Sequence, residues 1–248
     1  MAWIKACLQL AAVTAYYISS TSPNPPQSTH KSLTTSSFQK PSFDNLTVRV
    51  LVPLGKYAIV VPAIAEALIA LALSYSSSPY SSKILSILGY NVLTPVPSTL
   101  YITGSILAIL GGVARVQCFR ALGKQFTFNI GVLKDHSLVT SGPYSWVRHP
   151  SYTFAWLQMA GIALMHAAPD SATGSGLSAG TGSWLREADA LLVVRAGIVL
   201  TWGVSVAGIT RMFMMRLPVE DSFLHRHFGT EWEVFAKRVK YRLIPGVY

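Results

Sequence analysis

Charge is scarce in this 248-residue chain: Asp, Glu, Lys and Arg make up 12%, against about a quarter in an ordinary soluble domain. Acidic residues are scarcer still, ten against twenty basic ones. Cysteine is nearly missing. Cys7 and Cys118 both lie in apolar runs, which excludes a disulfide framework and reads as two buried thiols. No Gly-x-Gly-x-x-Gly follows a strand pattern and no phosphate loop occurs, so a dinucleotide fold is not signalled. Gly111-Gly112 sits inside an apolar run and reads as a helix-packing feature. No Ser-His-Asp or Cys-His arrangement can be read. His225 and His227 stand two apart, on different helix faces, and no metal site is expected.

What is present is apolar residue in excess, 51% of the chain, with a mean hydropathy of +0.41. It is gathered into runs at 3–19, 57–74, 99–118, 152–168 and 190–211. A helix crossing a bilayer needs roughly 17–25 residues. These runs therefore predict an all-α fold, a polytopic transmembrane helical bundle of about five spans. The run 84–93 is too short to cross and reads as interfacial or re-entrant. The first run shares the outline of a secretory signal, with Lys5 near its start and Ser19-Ser20 at its exit. In a chain that otherwise belongs in a membrane it reads as a retained helix.

The net charge of +10 would suit nucleic acid, but its placement points elsewhere. With five spans and a cytosolic C-terminus, segments 20–56, 119–151 and 212–248 share the cytosolic side and hold fourteen Lys and Arg residues. Only Lys5, Lys83 and Arg186 fall opposite. This is the positive-inside pattern, and no nucleic-acid partner is needed to explain it.

Residues 20–47 are rich in Ser, Thr, Pro, Asn and Gln and read as a disordered loop. The sequon Asn45-Leu46-Thr47 falls in it, on the side where it stays unmodified. Residues 169–183 read as a flexible connection on the far side. The segment 120–152 is too long and too polar for a plain turn, and Phe126, Phe128, Tyr144, Trp146 and Tyr152 argue that it is ordered. From 218 to 241 the pattern is amphipathic, and Gly229 divides it into two short helices. The last seven residues read as a tail packed back on the site. The chain thus divides into N-terminal membrane helices, 1–98, and a core, 99–248.

Two polar clusters stand out. His149 lies between Arg148 and Pro150. Proline suits the first turn of a helix and keeps the residue before it out of helical geometry. His149 then stands near a helix N-terminus able to bind an anionic or polar ligand, or makes an ordinary structural hydrogen bond in a loop. In the second cluster, Arg216 precedes Glu220-Asp221 with Pro218 between them. An unbroken helix gives an intrahelical ion pair; otherwise the acids can bind an amine and the arginine a carboxylate. Glu66 and Arg195 are ionisable within apolar runs, as a polar path or as groups facing the bundle interior or the interface.

The string Asp-His-Ser-Leu-Val-Thr-Ser-Gly-Pro-Tyr-Ser-Trp-Val-Arg-His-Pro-Ser-Tyr at 135–152 closely resembles the cofactor loop of protein-S-isoprenylcysteine O-methyltransferases. So do Glu-Asp-Ser-Phe-Leu, Phe-Gly-Thr-Glu-Trp and Lys-Arg-Val…Leu-Ile-Pro nearer the C-terminus. The resemblance covers about 100–248, making 99–248 the methyltransferase core. It implies a multi-pass endoplasmic-reticulum enzyme, its active site and C-terminus in the cytosol. The reaction implied is methyl transfer from S-adenosylmethionine to the carboxylate of a C-terminal prenylated cysteine of CaaX proteins.

By the same resemblance His136, Ser137, Leu138, Val139, Tyr144, His149, Pro150, Ser151, Tyr152 and Glu220 surround the cofactor. Arg216 faces the substrate carboxylate, and Arg120 and Arg238 are secondary candidates for substrate contact. Phe154 stands where a glycine is common and Asp221 where many members carry a second glutamate. Beside this reading stand a phospholipid N-methyltransferase, a sterol-type reductase with a similar Arg-His-Pro-x-Tyr string, and a non-catalytic membrane scaffold. Membrane lipid is an expected partner in each case.

Overall fold

The computed structural model describes residues 2–24, 52–75, 77–87, 96–126, 137–171 and 190–248. Among these the elements are helices, with no strand: α1 (Ala2–Ser19), α2 (Val52–Ser74), α3 (Pro79–Ile87), α4 (Thr99–Leu122), α5 (Pro150–Ala167), α6 (Ala190–Phe228) and α7 (Thr230–Arg238). Short 3-10 turns occupy Gly123–Gln125 and Gly142–Ser145. The all-α expectation is met. Among the described residues two helices, over Pro53–Ser74 and Thr99–Gln125, are long and apolar enough to cross a membrane. The sequon, most of the loop 20–47, the end of the 84–93 run and the connection beyond Ser171 lie outside the described residues.

Helix α4 starts at Ser98, whose hydroxyl accepts the Tyr101 N–H at 3.2 Å, a normal N-cap bond. It stops at Gly123, where φ is +55°, a conformation that costs glycine little. Antiparallel to it lies α5, and the two backbones nearly touch. A Cβ on Gly161 would sit 2.4 Å from the Ala108 nitrogen, and one on Gly111 2.6 Å from that of Gln158. Small residues at such positions let helices close on each other without side chains between them. Tyr101, Ala108, Ile162 and Met165 continue that seam into a core shared with Ala12, Tyr16 and Ile59 of α1 and α2.

At one end of this core, Lys5 is buried. Its side chain is 3% exposed and pairs with Glu66 at 3.1 Å and with the Asp170 carboxylate at 3.6 Å. The Asp170 carbonyl accepts from it as well. Glu66 therefore faces the bundle interior, where a buried charge persists only with an opposite partner.

The amphipathic stretch after 218 divides differently from the expected pair of short helices. Helix α6 runs unbroken through Pro218 to Phe228, and only Gly229, with φ +52°, ends it. Phe213, Leu217 and Asp221 recur one turn apart on α6 and are all buried. That continuous buried stripe outweighs the one helical hydrogen bond that proline forfeits.

Gly161→Ala is expected to lower the thermal unfolding midpoint, at a cost of about 1–3 kcal/mol for the forced displacement. Gly197→Ala, with nothing within 4 Å of its added methyl, is the matched control and holds or raises the midpoint, since alanine favours a helix interior. Thermal unfolding in lipid nanodiscs checks both.

Candidate active site

The approach to the site begins at Ser137, whose N–H donates to Gln125 Oε1 at 2.9 Å while Gln125 Nε2 donates to its hydroxyl at 3.0 Å. Gly142, with φ +60°, turns the chain into the 3-10 turn carrying Tyr144. Tyr144 is buried with Cys118, Phe119 and Phe126, and Val139, Leu122 and Phe154 pack against the group. This aromatic platform fixes the height at which the next residues meet α5. Burial pushes the Tyr144 hydroxyl well above the usual tyrosine range, with the Cys118 and Glu220 charges adding to it.

His149 then takes non-helical geometry, φ −125° and ψ +60°, as Pro150 opens α5. Its ring is 7% exposed and lies between two neighbouring carboxylates of α6. Nε2 meets Asp221 Oδ1 at 2.9 Å, and Nδ1 meets Glu220 Oε2 at 3.4 Å. The Tyr152 hydroxyl donates to Glu220 Oε1 at 2.6 Å, and its ring stacks on Phe213 with centroids 4.3 Å apart. Arg216 donates through Nε to the same Glu220 oxygen at 3.2 Å, and its Nη2 also lies 3.2 Å from it. Asp221 Oδ2 is held by Arg148 Nη1 at 3.2 Å and Arg242 Nε at 2.8 Å.

The two acids, one histidine and three arginines tune each other. Burial pulls the His149 pKa down, but the hydrogen bonds and charges of Asp221 and Glu220 overcome this and hold it above the ordinary histidine value. Burial pushes both carboxyls up; His149 and Arg216 bring Glu220 below its usual range, and His149, Arg148 and Arg242 do the same for Asp221. With a carboxylate oxygen facing each ring nitrogen, the arrangement favours the imidazolium over the neutral ring.

Of the residues singled out by sequence, the structure brings His149, Tyr152, Arg216 and Glu220 into direct contact. Pro150 is fully buried at the start of α5, and Ser151 is half-buried beside it. Tyr144 and Val139 belong to the aromatic platform, Leu138 is half-buried, and Ser137 is exposed. His136 lies outside the described residues. Arg238 donates at 3.5 Å to the Thr140 carbonyl, and Arg120 is exposed on the last turn of α4. The unbroken α6 makes Arg216 and Glu220 an i, i+4 pair.

Sequence reasoning passed over Arg115, Arg148, Trp232 and Arg242. Arg115 lies on α4 within electrostatic reach of Tyr16 and Tyr152, its Cζ 5.5 Å from the Phe119 centroid. A charge inside an apolar run was a signal for it. Arg148 lies over the Trp232 ring at 5.6 Å. Among the described residues, Nε of Arg115, Nε of Arg148 and the indole nitrogen of Trp232 are buried without an acceptor. Trp232 closes the Phe-Gly-Thr-Glu-Trp string and Arg242 opens the tail expected to pack on the site, but neither carried a role of its own.

Residues 104–175 match the family model described as isoprenylcysteine carboxyl methyltransferase (ICMT). That segment of the chain is similar to the ICMT family. The matched segment holds the aromatic platform's Tyr144 and the whole turn from Arg148 to Tyr152. A protein-S-isoprenylcysteine O-methyltransferase B of Arabidopsis thaliana is 28% identical over 138 residues, 55% of each chain. A protein-S-isoprenylcysteine O-methyltransferase of Dictyostelium discoideum is 27% identical over 154 residues, 60% of this chain and 51% of that one. One of Saccharomyces cerevisiae is 39% identical over 75 residues, 29% of this chain and 30% of that one. The chain spans about half the length of the first two relatives. The similarity to the ICMT family and the two long apolar helices both support membrane character.

The charge cluster dictates a pH dependence of stability. His149, raised when folded, contributes fully below its unfolded value of about 6.5, and that contribution is lost as pH rises through the higher folded value. Glu220 and Asp221, lowered when folded, contribute above their unfolded values of about 4 and lose this as pH falls through the lower folded ones. The unfolding midpoint is therefore expected to be highest in mildly acidic buffer and to fall on either side. In His149→Gln the decline on the alkaline side should shrink, as read by thermal unfolding across pH.

Proposed function

We propose that this chain transfers a methyl group from S-adenosylmethionine to the carboxylate of a C-terminal prenylated cysteine on CaaX proteins, giving a methyl ester. One observation carries the reading. The family-matched segment and Arg216, Glu220 and Asp221, which lie beyond it, are joined by hydrogen bonds into one buried cluster. The names of the relatives support the substrate class.

The residues fit the methyl donor. It carries an ammonium, a carboxylate and an adenosine, and bound here it supplies an electrophilic methyl on a sulfonium. Glu220, His149 and Tyr152 would hold it, with the buried Nε–H of Arg148 and indole N–H of Trp232 as donors for its acceptor groups. Ser137, Leu138, Val139, Tyr144, Pro150 and Ser151 would surround it, with His136 from the same stretch of sequence.

The acceptor carboxylate is ionised near neutral pH, with a pKa of about 3.3–3.7, so no general base is required. Alignment and exclusion of water supply the acceleration. Arg216 orients the carboxylate. A guanidinium that gripped it fully would stabilise the ground state, because the negative charge disappears in the transition state. Sharing Arg216 with Glu220 tempers that grip. Arg115 adds a second guanidinium, since both lie within electrostatic reach of Tyr152. An amine acceptor, as in phospholipid methylation, calls for neither cation and must first lose a proton.

A prenyl chain partitions into lipid, which suits a site reached from the bilayer. The enzyme then sits in the endoplasmic-reticulum membrane with about five spans, its cofactor loop and C-terminal helices on the cytosolic side with most of the basic charge. Arg120 and Arg238 remain secondary candidates for substrate contact.

Membranes containing the protein, given labelled S-adenosylmethionine and N-acetyl-farnesylcysteine, are expected to form a base-labile methyl ester. Arg216→Ala should lower its rate on the order of a hundredfold, the scale of a misaligned reactant. No ester from wild type, or undiminished ester from Arg216→Ala, overturns the reading.

A further inference from the structure

The segment 239–248 does more than end the chain. It lies along the turn before α5, with the Arg148 N–H donating to the Tyr241 carbonyl at 3.0 Å and the His149 N–H to the Arg242 carbonyl at 2.9 Å. Thr153 Oγ1 donates to the Leu243 carbonyl at 2.7 Å, and the Leu243 side chain is buried. From this docked backbone the Arg242 guanidinium reaches back in two directions. Its Nε donates to Asp221 Oδ2 at 2.8 Å and its Nη1 to the Tyr248 hydroxyl at 2.8 Å. The Tyr248 carbonyl in turn accepts from the N–H groups of Leu243 and Ile244 at 2.9 and 3.1 Å, which closes the segment on itself.

Asp221 is the point where this matters. One of its oxygens holds His149 and the other is held by Arg242 and Arg148. A carboxylate on a flexible stem keeps one oxygen aligned on a histidine only when the other is fixed. Arg148 approaches from the same loop as His149 and moves with it. Arg242 comes from a distant stretch of the chain, docked on that loop through the Arg148 and His149 N–H groups and on α5 through Thr153, and holds the second oxygen from the strap's side.

We propose that Arg242 is a positioning residue. It acts through Asp221 to fix the orientation of the His149 ring, so that Nδ1 of that ring is turned to Glu220. Val239–Tyr248 is then a strap that completes the site, with Tyr248 steadying Arg242. The inference rests on the reading of this cluster as the methyl-donor site only for its consequence, namely that docking of the strap governs donor binding. The positioning itself is independent of that reading.

The charged and titratable groups around His149 are Glu220 and Asp221 from α6, Tyr152 from α5, Arg216 on Glu220, Arg148 and Arg242 on Asp221, and Tyr248 behind Arg242. The sign of one shift separates positioning from a simple charge effect. The positive charge of Arg242, acting alone, disfavours an imidazolium, so deleting it would raise the titration midpoint of His149. Loss of the Asp221 alignment weakens the bond that favours the imidazolium and lowers it.

The test is a ring titration by NMR on the full chain in nanodiscs with labelled histidine. There are six histidines, and His149→Gln assigns the signal. In Arg242→Ala the midpoint is expected to fall toward the ordinary value of about 6.5. Tyr248→Phe, which removes only the hydroxyl that Arg242 donates to, should lower it by less and decides the matter if Arg242→Ala does not fold. A midpoint that rises or stays unchanged in the variant that folds overturns the proposal. The titration contains neither methyl donor nor acceptor. Absence of methyl ester in the assay above would thus sink the reaction and leave the positioning role standing.

Discussion

Everything at the candidate site hangs on one imidazolium held between the carboxylates of two consecutive residues. Glu220 and Asp221 are neighbours on a helix, so their side chains diverge by about 100°, the turn between successive residues at 3.6 per turn. A ring placed in the angle between them can meet both, one nitrogen each. His149 occupies that angle because it is the last non-helical residue before α5, with Pro150 setting its backbone. Two carboxylates alone would repel at such burial. The imidazolium, with Arg148, Arg216 and Arg242 around it, makes the arrangement stable. The energetics and the geometry therefore come from the same contact.

Two apolar features set where that contact forms. The glycine seam of α4 and α5 holds the backbones too close for intervening side chains, which fixes the height of α5 and hence of His149. The aromatic group of Phe119, Phe126 and Tyr144 holds the incoming loop against the same pair of helices. On the other side, the stripe of Phe213 and Leu217 carries α6 straight through Pro218 and brings its acids opposite the histidine. A helix broken at that proline would have swung Glu220 and Asp221 away from Arg216. The i, i+4 pair depends on packing that overrides a local breaker.

Much of the helical content was readable because a bilayer demands long apolar runs, and runs are a one-dimensional property. Gly111 as a packing glycine, Gly229 as the break and the inward tail were legible on the same footing, each being a local preference the fold satisfies. Pro218 left two readings open because a local penalty of one hydrogen bond cannot be weighed in the sequence against the buried stripe that opposes it. The pairing of Lys5 was not legible because an isolated charge near the start of a run carries no sign of its partner. Its partners, Glu66 and Asp170, are 61 and 165 residues away, the second separation being that of their hydrogen bond.

The sequence by itself determined the helical, membrane-type character of the chain and the presence of two polar clusters able to meet in one place. Hydrophobic length, proline position and charge asymmetry act along the chain and need no partner to be read. Only the tertiary structure decided that His149 is shared by Glu220 and Asp221 and that Arg216 is already engaged by Glu220. It alone drew in Arg115 from α4 and Arg242 from the C-terminal segment. The reason is physical: the angle of a hydrogen bond and the burial of a charge are set by backbones that come together from opposite ends of the chain.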